Sequence, residues 1–149
     1  MKRLAVLTSG GDAQGMNAAV RSVVRTALAM DAEIYGIERG SAGLLDEAIT
    51  PMTSASVGGI VLRGGTMLRT ARCQAFFERK NQIQAAEILR KHGLDGLVVI
   101  GGDGSVQGAE VLTPLGIPTV TVPGTIDHDT HGTDAPIGHD PAVNVVVSA

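Results

Sequence analysis

One apolar stretch, residues 97–100, limits the possible folds more than any other part of the sequence. All of its residues are apolar, and two glycines follow it directly. A strand that is apolar at every position has both faces buried, which is typical of the interior of a parallel sheet. Further strand-like runs at 4–7, 34–37 and 118–122 are separated by segments with helical spacing. This alternation predicts an α/β fold with a mainly parallel, three-layer sheet.

The segments between these strands are predicted from their spacing and from their end signals. Helices are expected at 16–30, 76–92 and 105–112, and a loop is expected at 40–43. Gly93, which follows two basic residues, is typical of the left-handed residue that ends a helix. The helix at 76–92 is expected to bury one stripe of side chains, formed by Ile83, Ala86 and Leu89.

Composition places the chain among single globular domains and excludes two classes of partner. Hydrophobic residues make up 44% of the 149 residues, which is enough to bury a core. The net charge of −3 gives no electrostatic basis for binding nucleic acid, and no apolar run approaches the roughly 20 residues of a membrane span. The single cysteine, Cys73, suits a reducing compartment, so we expect a cytoplasmic protein.

The glycine-rich turn after the predicted buried strand contains an unexpected carboxylate. Gly101 and Gly102 are followed by Asp103, and then by Gly104 and Ser105. Such turns bind phosphate through their backbone N–H groups, but an aspartate would repel the same phosphate. A magnesium ion between the carboxylate and the phosphates removes this conflict, so the motif predicts a magnesium–phosphate site with Asp103 in a loop. The alternative is that Asp103 caps the helix that follows it.

Two other strands end in turns of similar character. Gly10 and Gly11 follow the first strand, and they form either a second phosphate-binding turn or a plain strand-to-helix turn. Asp127 and Asp129 follow the strand at 118–122, where they suit a general base and a partner that positions it, or else form a polar turn. Because ligands bind at the carboxyl ends of parallel strands, we expect the three turns to meet.

Basic and histidine side chains near these turns leave further possibilities open. Arg69 and Arg72 lie between predicted elements, where each either clamps a phosphoryl group or carries surface charge. Three histidines near the aspartates suggest zinc, but their spacing does not fit one helix face and no cysteine joins them. We therefore expect no transition-metal site at His128, His131 and His139.

Together these motifs resemble one family, the bacterial ATP-dependent 6-phosphofructokinases, in their order and spacing along all 149 residues. The resemblance implies the fold of that family and the transfer of a phosphoryl group from ATP to fructose 6-phosphate in glycolysis. The stretches that carry the resemblance are Leu7-Thr8-Ser9-Gly10-Gly11-Asp12, Gly15-Met16-Asn17-Ala18, Arg63-Gly64-Gly65-Thr66, Thr70-Ala71-Arg72-Cys73, Gly101-Gly102-Asp103-Gly104-Ser105 and Pro123-Gly124-Thr125-Ile126-Asp127.

The resemblance also implies roles for individual residues. Asp127 is the base that takes the proton from the sugar 1-hydroxyl, with Thr125 and Arg72 as further catalytic residues. Asp103 is the ligand of Mg²⁺. Ile126 joins Thr125 and Asp127 as a substrate contact. The implied ATP contacts are Gly11, Arg72, Cys73, Gly102, Asp103, Gly104 and Ser105.

Several positions match or depart from the family pattern away from these motifs. Arg21 and Arg25 match the family's effector site between subunits, but Ser54 and Gly59 stand where charged residues are usual. Ser41 stands where a tyrosine near the adenine is usual. The residues that replace the usual asparagine and apolar side chains beside the catalytic turn are His128, His131 and His139.

Family members are about twice as long as this chain, and the full-length chains form tetramers. We therefore expect residues 1–149 to be an ATP-binding domain that is incomplete at its C-terminus, without the second domain. Two alternatives stay open: a truncated nucleotide-binding remnant without turnover, and a kinase of the NAD or lipid kinase type that shares the Gly-Gly-Asp-Gly turn. In the incomplete domain, the apolar side chains at 143–147 are expected to be exposed.

Overall fold

The structure, a computed structural model, describes residues 1–148, which form one five-stranded sheet, five helices and one 3₁₀ turn. The strands are β1 (Arg3–Thr8), β2 (Glu33–Ile37), β3 (Ile49–Met52), β4 (Gly96–Gly101) and β5 (Thr119–Pro123). The helices are α1 (Met16–Ala29), α2 (Gly40–Leu45), α3 (Arg79–Lys91), α4 (Asp103–Glu110) and α5 (His139–Ser148). The 3₁₀ turn covers Gln74–Phe77 and lies just before α3.

The sheet has the strand order β3-β2-β1-β4-β5. β1 pairs in parallel with both β2 and β4, and β4 pairs in parallel with β5. β4 thus has a parallel neighbour on each side, which confirms the interior strand predicted from residues 97–100. β3 runs antiparallel to β2, with Met52 opposite Ile34. The sequence pattern does not predict β3, because it contains Pro51, and proline is tolerated only on edge strands.

Helices cover both faces of the sheet, which confirms the predicted three layers. Side chains alternate along β1, so Ala5 and Leu7 pack in the cluster that includes α3 and α4, whereas Val6 packs in the cluster of α1. The buried apolar residues of α1 recur at helical spacing, and they are Met16, Val20, Val24 and Ala27. The sequence pattern gives Val23 and Met30 instead of Val24, but Val23 is only half-buried and Met30, beyond the end of the helix, is 75% exposed.

A helix, α2, replaces the loop predicted at residues 40–43. It follows Arg39, which is left-handed, and no side chain caps its first turn. With two glycines and no cap, the segment has little intrinsic preference for a helix, so local sequence does not reveal it. Packing accounts for it instead: a Cβ at Gly43 would overlap the carbonyl oxygen of Glu38, and Leu44 is buried against the sheet.

The helix predicted at 76–92 is divided into the 3₁₀ turn and α3. Glu78 lies between them in an extended conformation, with ψ of 129°. Gly93 has φ of 65° directly after the end of α3, as predicted. Ile83 is 40% exposed rather than buried, because it lies about 140° around the helix from the centre of the buried face. That face consists of Ala85, Ala86, Ile88 and Leu89.

The last helix, α5, carries an exposed apolar face, as predicted for residues 143–147. None of the residues of α5 is buried. The exposed valines are Val143, Val145, Val146 and Val147. Within residues 1–148, no helix combines the length and apolar character that crossing a membrane requires.

Candidate active site

The carboxyl ends of β1, β4 and β5 open into one cleft of about 800 Å³. The turns that follow these strands line the cleft together, as expected for the carboxyl ends of parallel strands. The remaining parts of the wall come from α2, the 3₁₀ turn, α4 and the residues that precede the 3₁₀ turn. The predicted site residues that lie in this wall are Gly11, Arg72, Cys73, Gly102, Asp103, Gly104, Ser105, Thr125 and Asp127.

The glycines of the cleft are of two kinds. A Cβ added at Gly11 or Gly104 would meet no atom within 4 Å, so the space beside both residues is open. A Cβ at Gly101 would lie 2.5 Å from the carbonyl oxygen of Ser9 and 2.5 Å from Ser105 Oγ. Glycine at 101 therefore allows two turns to pack against each other, while the other two leave the backbone accessible to a ligand.

Asp103 is the first residue of α4, and this corrects its predicted position in a loop. The alternative prediction, that Asp103 caps the helix, is also wrong, because Gly102 is the capping residue and no side chain caps the turn. The carboxylate of Asp103 accepts a hydrogen bond of 2.7 Å from Gln107 Nε2, one turn further along the helix. The helix begins early because the carbonyl oxygen of Gly102 already accepts the N–H groups of Ser105 and Val106.

Charges in the cleft wall are unbalanced. The carboxylates of Asp103, Asp127 and Asp129 share the wall with a single basic side chain, that of Arg72. No salt bridge within residues 1–148 involves any of these three carboxylates. Such a cleft repels a polyphosphate unless a cation accompanies it. Carboxylate oxygens beside a phosphate site are the ligands that Mg²⁺ prefers, so the residues present fit that ion.

The turn after β5 is held in place by the segment around Ile137. The N–H of Thr125 donates to the carbonyl oxygen of Ile137 at 2.9 Å, and the N–H of Ile137 donates to that of Pro123 at 2.9 Å. Within the turn, the N–H of Asp127 donates to Thr125 Oγ1 at 3.2 Å. Thr125 and Asp127 thus belong to the cleft wall, whereas Ile126 is 55% exposed and lies outside it.

Histidines lie beside this turn. His139 Nδ1 is 3.0 Å from the carbonyl oxygen of Ile126, and the ring centroids of His128 and His139 are 4.7 Å apart. In the part of the chain that the structure describes, no three His, Cys, Asp or Glu side chains form a group that could hold a metal ion. Through its approach to the Ile126 carbonyl oxygen, His139 contacts the backbone of the turn that contains Asp127.

The other predicted basic residues lie outside the cleft wall. Arg69 is left-handed and does not line the cleft, so Arg72 is the one of these two arginines that lies in the cleft wall. Arg21 and Arg25 lie on α1, where Arg21 Nη1 donates to the carbonyl oxygen of Val57 at 2.6 Å. The structure thus separates the two residues proposed for an effector site from the cleft.

Part of the wall is absent from the sequence prediction. It comes from Leu44 in α2 and from the end of the 3₁₀ turn, whereas Ser41, at the position that the resemblance assigns near the adenine, also lies in the wall. Phe77 lies in the wall and is 72% exposed, whereas its neighbour Phe76 is buried. These two are the only phenylalanines in the chain, and their adjacency beside Arg72 and Cys73 is the signal that could have revealed this wall.

Comparison with known sequences gives a consistent result. The family model described as "Phosphofructokinase" matches residues 3–149. The ATP-dependent 6-phosphofructokinase of Paenibacillus macquariensis is 57% identical over all 149 residues, which make up 46% of that protein. The protein of the same name from Bacillus thuringiensis strain Al Hakam is 56% identical over 47% of its length. The chain thus spans about half the length of the curated relatives it matches.

Solved structures share the same fold. The structure of Pichia pastoris phosphofructokinase in the T-state superposes with a TM-score of 0.94 at 35% identity, over 99% of this chain and 18% of that one. The structure of Saccharomyces cerevisiae phosphofructokinase superposes with a TM-score of 0.87 at 36% identity, over 99% of this chain and 24% of that one. A pyrophosphate-dependent phosphofructokinase from Marinobacter aquaeolei superposes with a TM-score of 0.83, over 99% of this chain and 40% of that one. Because the two sequences are only 21% identical, this likeness supports the fold alone.

Proposed function

Because the chain belongs to the phosphofructokinase family, we propose that its cleft takes part in the transfer of the γ-phosphoryl group of ATP to fructose 6-phosphate, giving fructose 1,6-bisphosphate. One observation carries the proposal: the turns that contain Gly11, Asp103 and Asp127 meet in a single cleft. Phosphoryl transfer depends mainly on positioning and on neutralising charge, and these turns bring the required groups together.

In this proposal the glycine-rich turns at Gly11 and Gly104 bind the polyphosphate. The open space beside Gly11 and Gly104 lets phosphate oxygens approach backbone N–H groups. Asp103 would hold Mg²⁺, which, when bound, neutralises charge on the β- and γ-phosphates. Gln107, which donates to Asp103, holds one carboxylate oxygen in place. The surplus of carboxylates in the wall supports a cation-dependent mode of binding.

In this proposal Asp127 removes the proton, and Arg72 stabilises the charge on the transferred phosphoryl group. The carboxylate of Asp127 accepts the proton of the sugar 1-hydroxyl as the hydroxyl oxygen attacks the γ-phosphorus. Thr125 Oγ1 accepts the N–H of Asp127 and so fixes the turn in which that carboxylate lies. The guanidinium of Arg72 offers paired N–H donors to the transferred phosphoryl group. Ile126, which is exposed outside the wall, contacts the sugar from the rim.

The donor is proposed to be ATP rather than pyrophosphate. Gly104 has open space beside it and lies in the same wall as Cys73 and Phe77, which gives room for a nucleoside. A Cβ at Gly124 would lie 3.1 Å from Ile100, so the turn after β5 packs closely without a side chain there. Position 124 therefore has no open space beside it, whereas a larger charged residue at position 104, as the resemblance implies for pyrophosphate-using relatives, would fill the space beside Gly104.

A second candidate is nucleotide binding without turnover by residues 1–149 alone. It is favoured by the single basic side chain in the cleft wall, because a sugar 6-phosphate needs basic partners of its own. Holding the acceptor hydroxyl in line with the γ-phosphorus lowers the activation free energy by about 7–11 kcal/mol in favourable cases. If no basic side chain binds the 6-phosphate, ATP still binds, but the sugar hydroxyl is not held in position to attack the γ-phosphorus.

The setting of the reaction is also a proposal. We infer a cytoplasmic location from the glycolytic substrate and the single free cysteine. A homo-oligomer is expected for the full-length relatives, and we propose that Arg21 and Arg25, which lie on α1 outside the cleft, contribute to an effector site between subunits.

Calorimetry and a coupled assay on the purified 149-residue chain test these proposals. We expect binding of ATP that depends on Mg²⁺, with Asp127→Asn leaving this binding unchanged. Where turnover of fructose 6-phosphate is observed, Asp127→Asn should lower kcat by about 10²–10⁴-fold. Binding without turnover supports the second candidate, and absence of MgATP binding contradicts both.

A further inference from the structure

Residues 63–72, here called the arginine segment, contain neither helix nor strand, yet they end in the cleft wall at Arg72. A segment without regular structure must satisfy its backbone polar groups in other ways. Two buried polar side chains meet this need. They are Thr8, at the end of β1, and Asn17, in α1, which are 0% and 3% exposed.

Thr8 fixes the turn in the second half of the arginine segment. Its Oγ1 lies 2.9 Å from Thr66 Oγ1 and 2.9 Å from the carbonyl oxygen of Arg69. Because the hydroxyl has one proton, it donates to that carbonyl and accepts from Thr66. Thr66 Oγ1 also accepts the N–H of Leu68 at 3.2 Å. One buried hydroxyl therefore links the strand to both sides of this turn.

Asn17 fixes the first half of the arginine segment with both ends of its side-chain amide. Nδ2 donates to the carbonyl oxygens of Arg63 at 3.1 Å and Gly64 at 3.3 Å. Oδ1 accepts the N–H of Met67 at 2.6 Å. The backbone N–H of Asn17 donates to the carbonyl oxygen of Gly65 at 3.2 Å. The segment is thus held against α1 along its length.

The conformation held in this way is not one that the segment would adopt freely. Arg69 has φ of 60°, which is unfavourable for a residue with a side chain. Such conformations persist only where the surroundings hold them. Besides Thr8, the surroundings include Leu68, which is buried and whose carbonyl oxygen accepts the N–H of Arg39 at 2.8 Å.

On the basis of the proposed function, we propose that Thr8 and Asn17 are positioning residues that hold Arg72 in place in the cleft wall that also contains Gly11. Thr8 is three residues before Gly11 and bonds a carbonyl three residues before Arg72. The same hydroxyl therefore links the turn that follows β1 to the segment that ends at Arg72. Without the hydroxyl, the arginine segment is released and Arg72 no longer meets the terminal phosphate of ATP.

Hydrogen exchange tests the positioning step without any ligand. Thr8→Val keeps the shape of the side chain but removes the hydroxyl, and Thr8→Ser restores the hydroxyl. We expect amides at 66–72 to exchange about tenfold faster in Thr8→Val than in the wild type, and at the wild-type rate in Thr8→Ser. Amides of β4 serve as the internal control and should not change. Should Thr8→Val fail to fold, Thr8→Ala removes the same two contacts with a smaller side chain.

Nucleotide affinity tests the consequence for Arg72. We expect Thr8→Val to bind MgATP about tenfold more weakly, with MgADP affinity within about twofold of wild type, because Arg72 meets only the terminal phosphate. Thr8→Ser should recover the preference for ATP. A purely structural role would weaken both nucleotides equally, and this result would overturn the proposal.

The two measurements separate the positioning role from the proposed function. Unchanged exchange at 66–72 in a folded Thr8→Val or Thr8→Ala variant would overturn the positioning role, as would an equal rise in the exchange rates of the β4 amides. If the wild-type chain binds no MgATP, the proposed function fails, and the exchange measurement still decides whether Thr8 holds the arginine segment.

Discussion

At the scale of single residues, the cleft is defined by where its charges lie rather than by how many there are. Asp103 lies in the first turn of α4, where a negative charge is favoured by the helix dipole. Its partner in this structure is a neutral amide, that of Gln107, so the carboxylate remains available to a cation. A residue in this setting contributes little packing, and its chemistry can be removed with little loss of fold.

We therefore expect Asp103→Asn to weaken MgATP binding far more than it lowers thermal stability. The asparagine still accepts from Gln107, and the lost helix-dipole interaction is worth about 0.3–1 kcal/mol. Calorimetry with ATP, with and without Mg²⁺, measures the first effect, and thermal unfolding measures the second. Gln107→Met is the matched control for loss of the hydrogen bond alone. A large fall in melting temperature with unchanged MgATP affinity would show that Asp103 supports the helix instead.

The positions of the site residues at strand ends follow from sequence because glycines, aspartates and strand ends are local signals. Gly11, Asp103 and Asp127 each follow a strand that its own apolar pattern reveals. The contributions of Thr8 and Asn17 could not be predicted in this way. Thr8 makes its decisive contact 61 positions away and Asn17 makes one 50 positions away, and nothing in the neighbourhood of either residue indicates its partner.

At the scale of elements, parts of the structure that depend on distant packing were mispredicted. α2 has no cap and two glycines, and it exists because Gly43 allows close contact with Glu38. β3 contains a proline and depends on the neighbouring edge of β2. Strands β1, β2, β4 and β5 and helix α1 were predictable because their apolar spacing is periodic and their ends are marked by glycine.

A pair of glycine substitutions tests the packing of α2. Gly43→Ala should destabilise the protein by about 3 kcal/mol, since its Cβ would overlap a backbone oxygen that cannot rotate away. Gly108→Ala, inside α4, should stabilise it by about 0.5–1 kcal/mol, since its Cβ meets only ordinary contacts with Phe76. Urea unfolding of both variants measures the difference. Equal effects of the two substitutions would contradict the packing of α2 described above.

The pairing of β1 with β2 makes stability depend on pH through Glu33. The Glu33 carboxylate accepts from the Tyr35 hydroxyl at 2.9 Å and from Arg3 Nε at 2.8 Å. These bonds, that of Tyr35 foremost, hold the pKa of Glu33 below its usual range. The folded state therefore favours the ionised form. The stabilising effect is complete at pH above the usual glutamate pKa and is lost as the pH falls through the lowered one.

We expect Glu33→Gln to be less stable than the wild type at neutral pH and equally stable in strong acid. Urea unfolding across this pH range measures whether the free energies of unfolding of Glu33→Gln and the wild type converge in acid. Glu87→Gln is the matched control, because Glu87 is exposed and makes no side-chain hydrogen bond within residues 1–148. A stability difference that stays constant with pH would show that the ionised carboxylate is not responsible.

At the scale of the whole molecule, the exposed face of α5 is the feature with the clearest consequence. Val146 and Val147 are 77% and 80% exposed, on a helix with no buried residue. Adjacent exposed valines favour association with another apolar surface. We expect the 149-residue chain to self-associate as its concentration rises, and the double substitution Val146→Lys with Val147→Glu to reduce this. Sedimentation velocity measures the effect, with Val120→Lys on β5 as the control for the sheet edge.

The position of β1 at the centre of the sheet also bears on the order in which the molecule is assembled. β1 precedes the other four strands of the sheet along the chain, yet Leu4 pairs with Gly96, and Thr8 pairs with Ile100. During translation β1 can pair early with β2, but its other edge stays unpaired until residues 96–100 have left the ribosome. Unpaired edges of this kind are where nascent chains aggregate and where chaperones bind. The strand that carries the first turn of the cleft is therefore also the strand most exposed to error during synthesis.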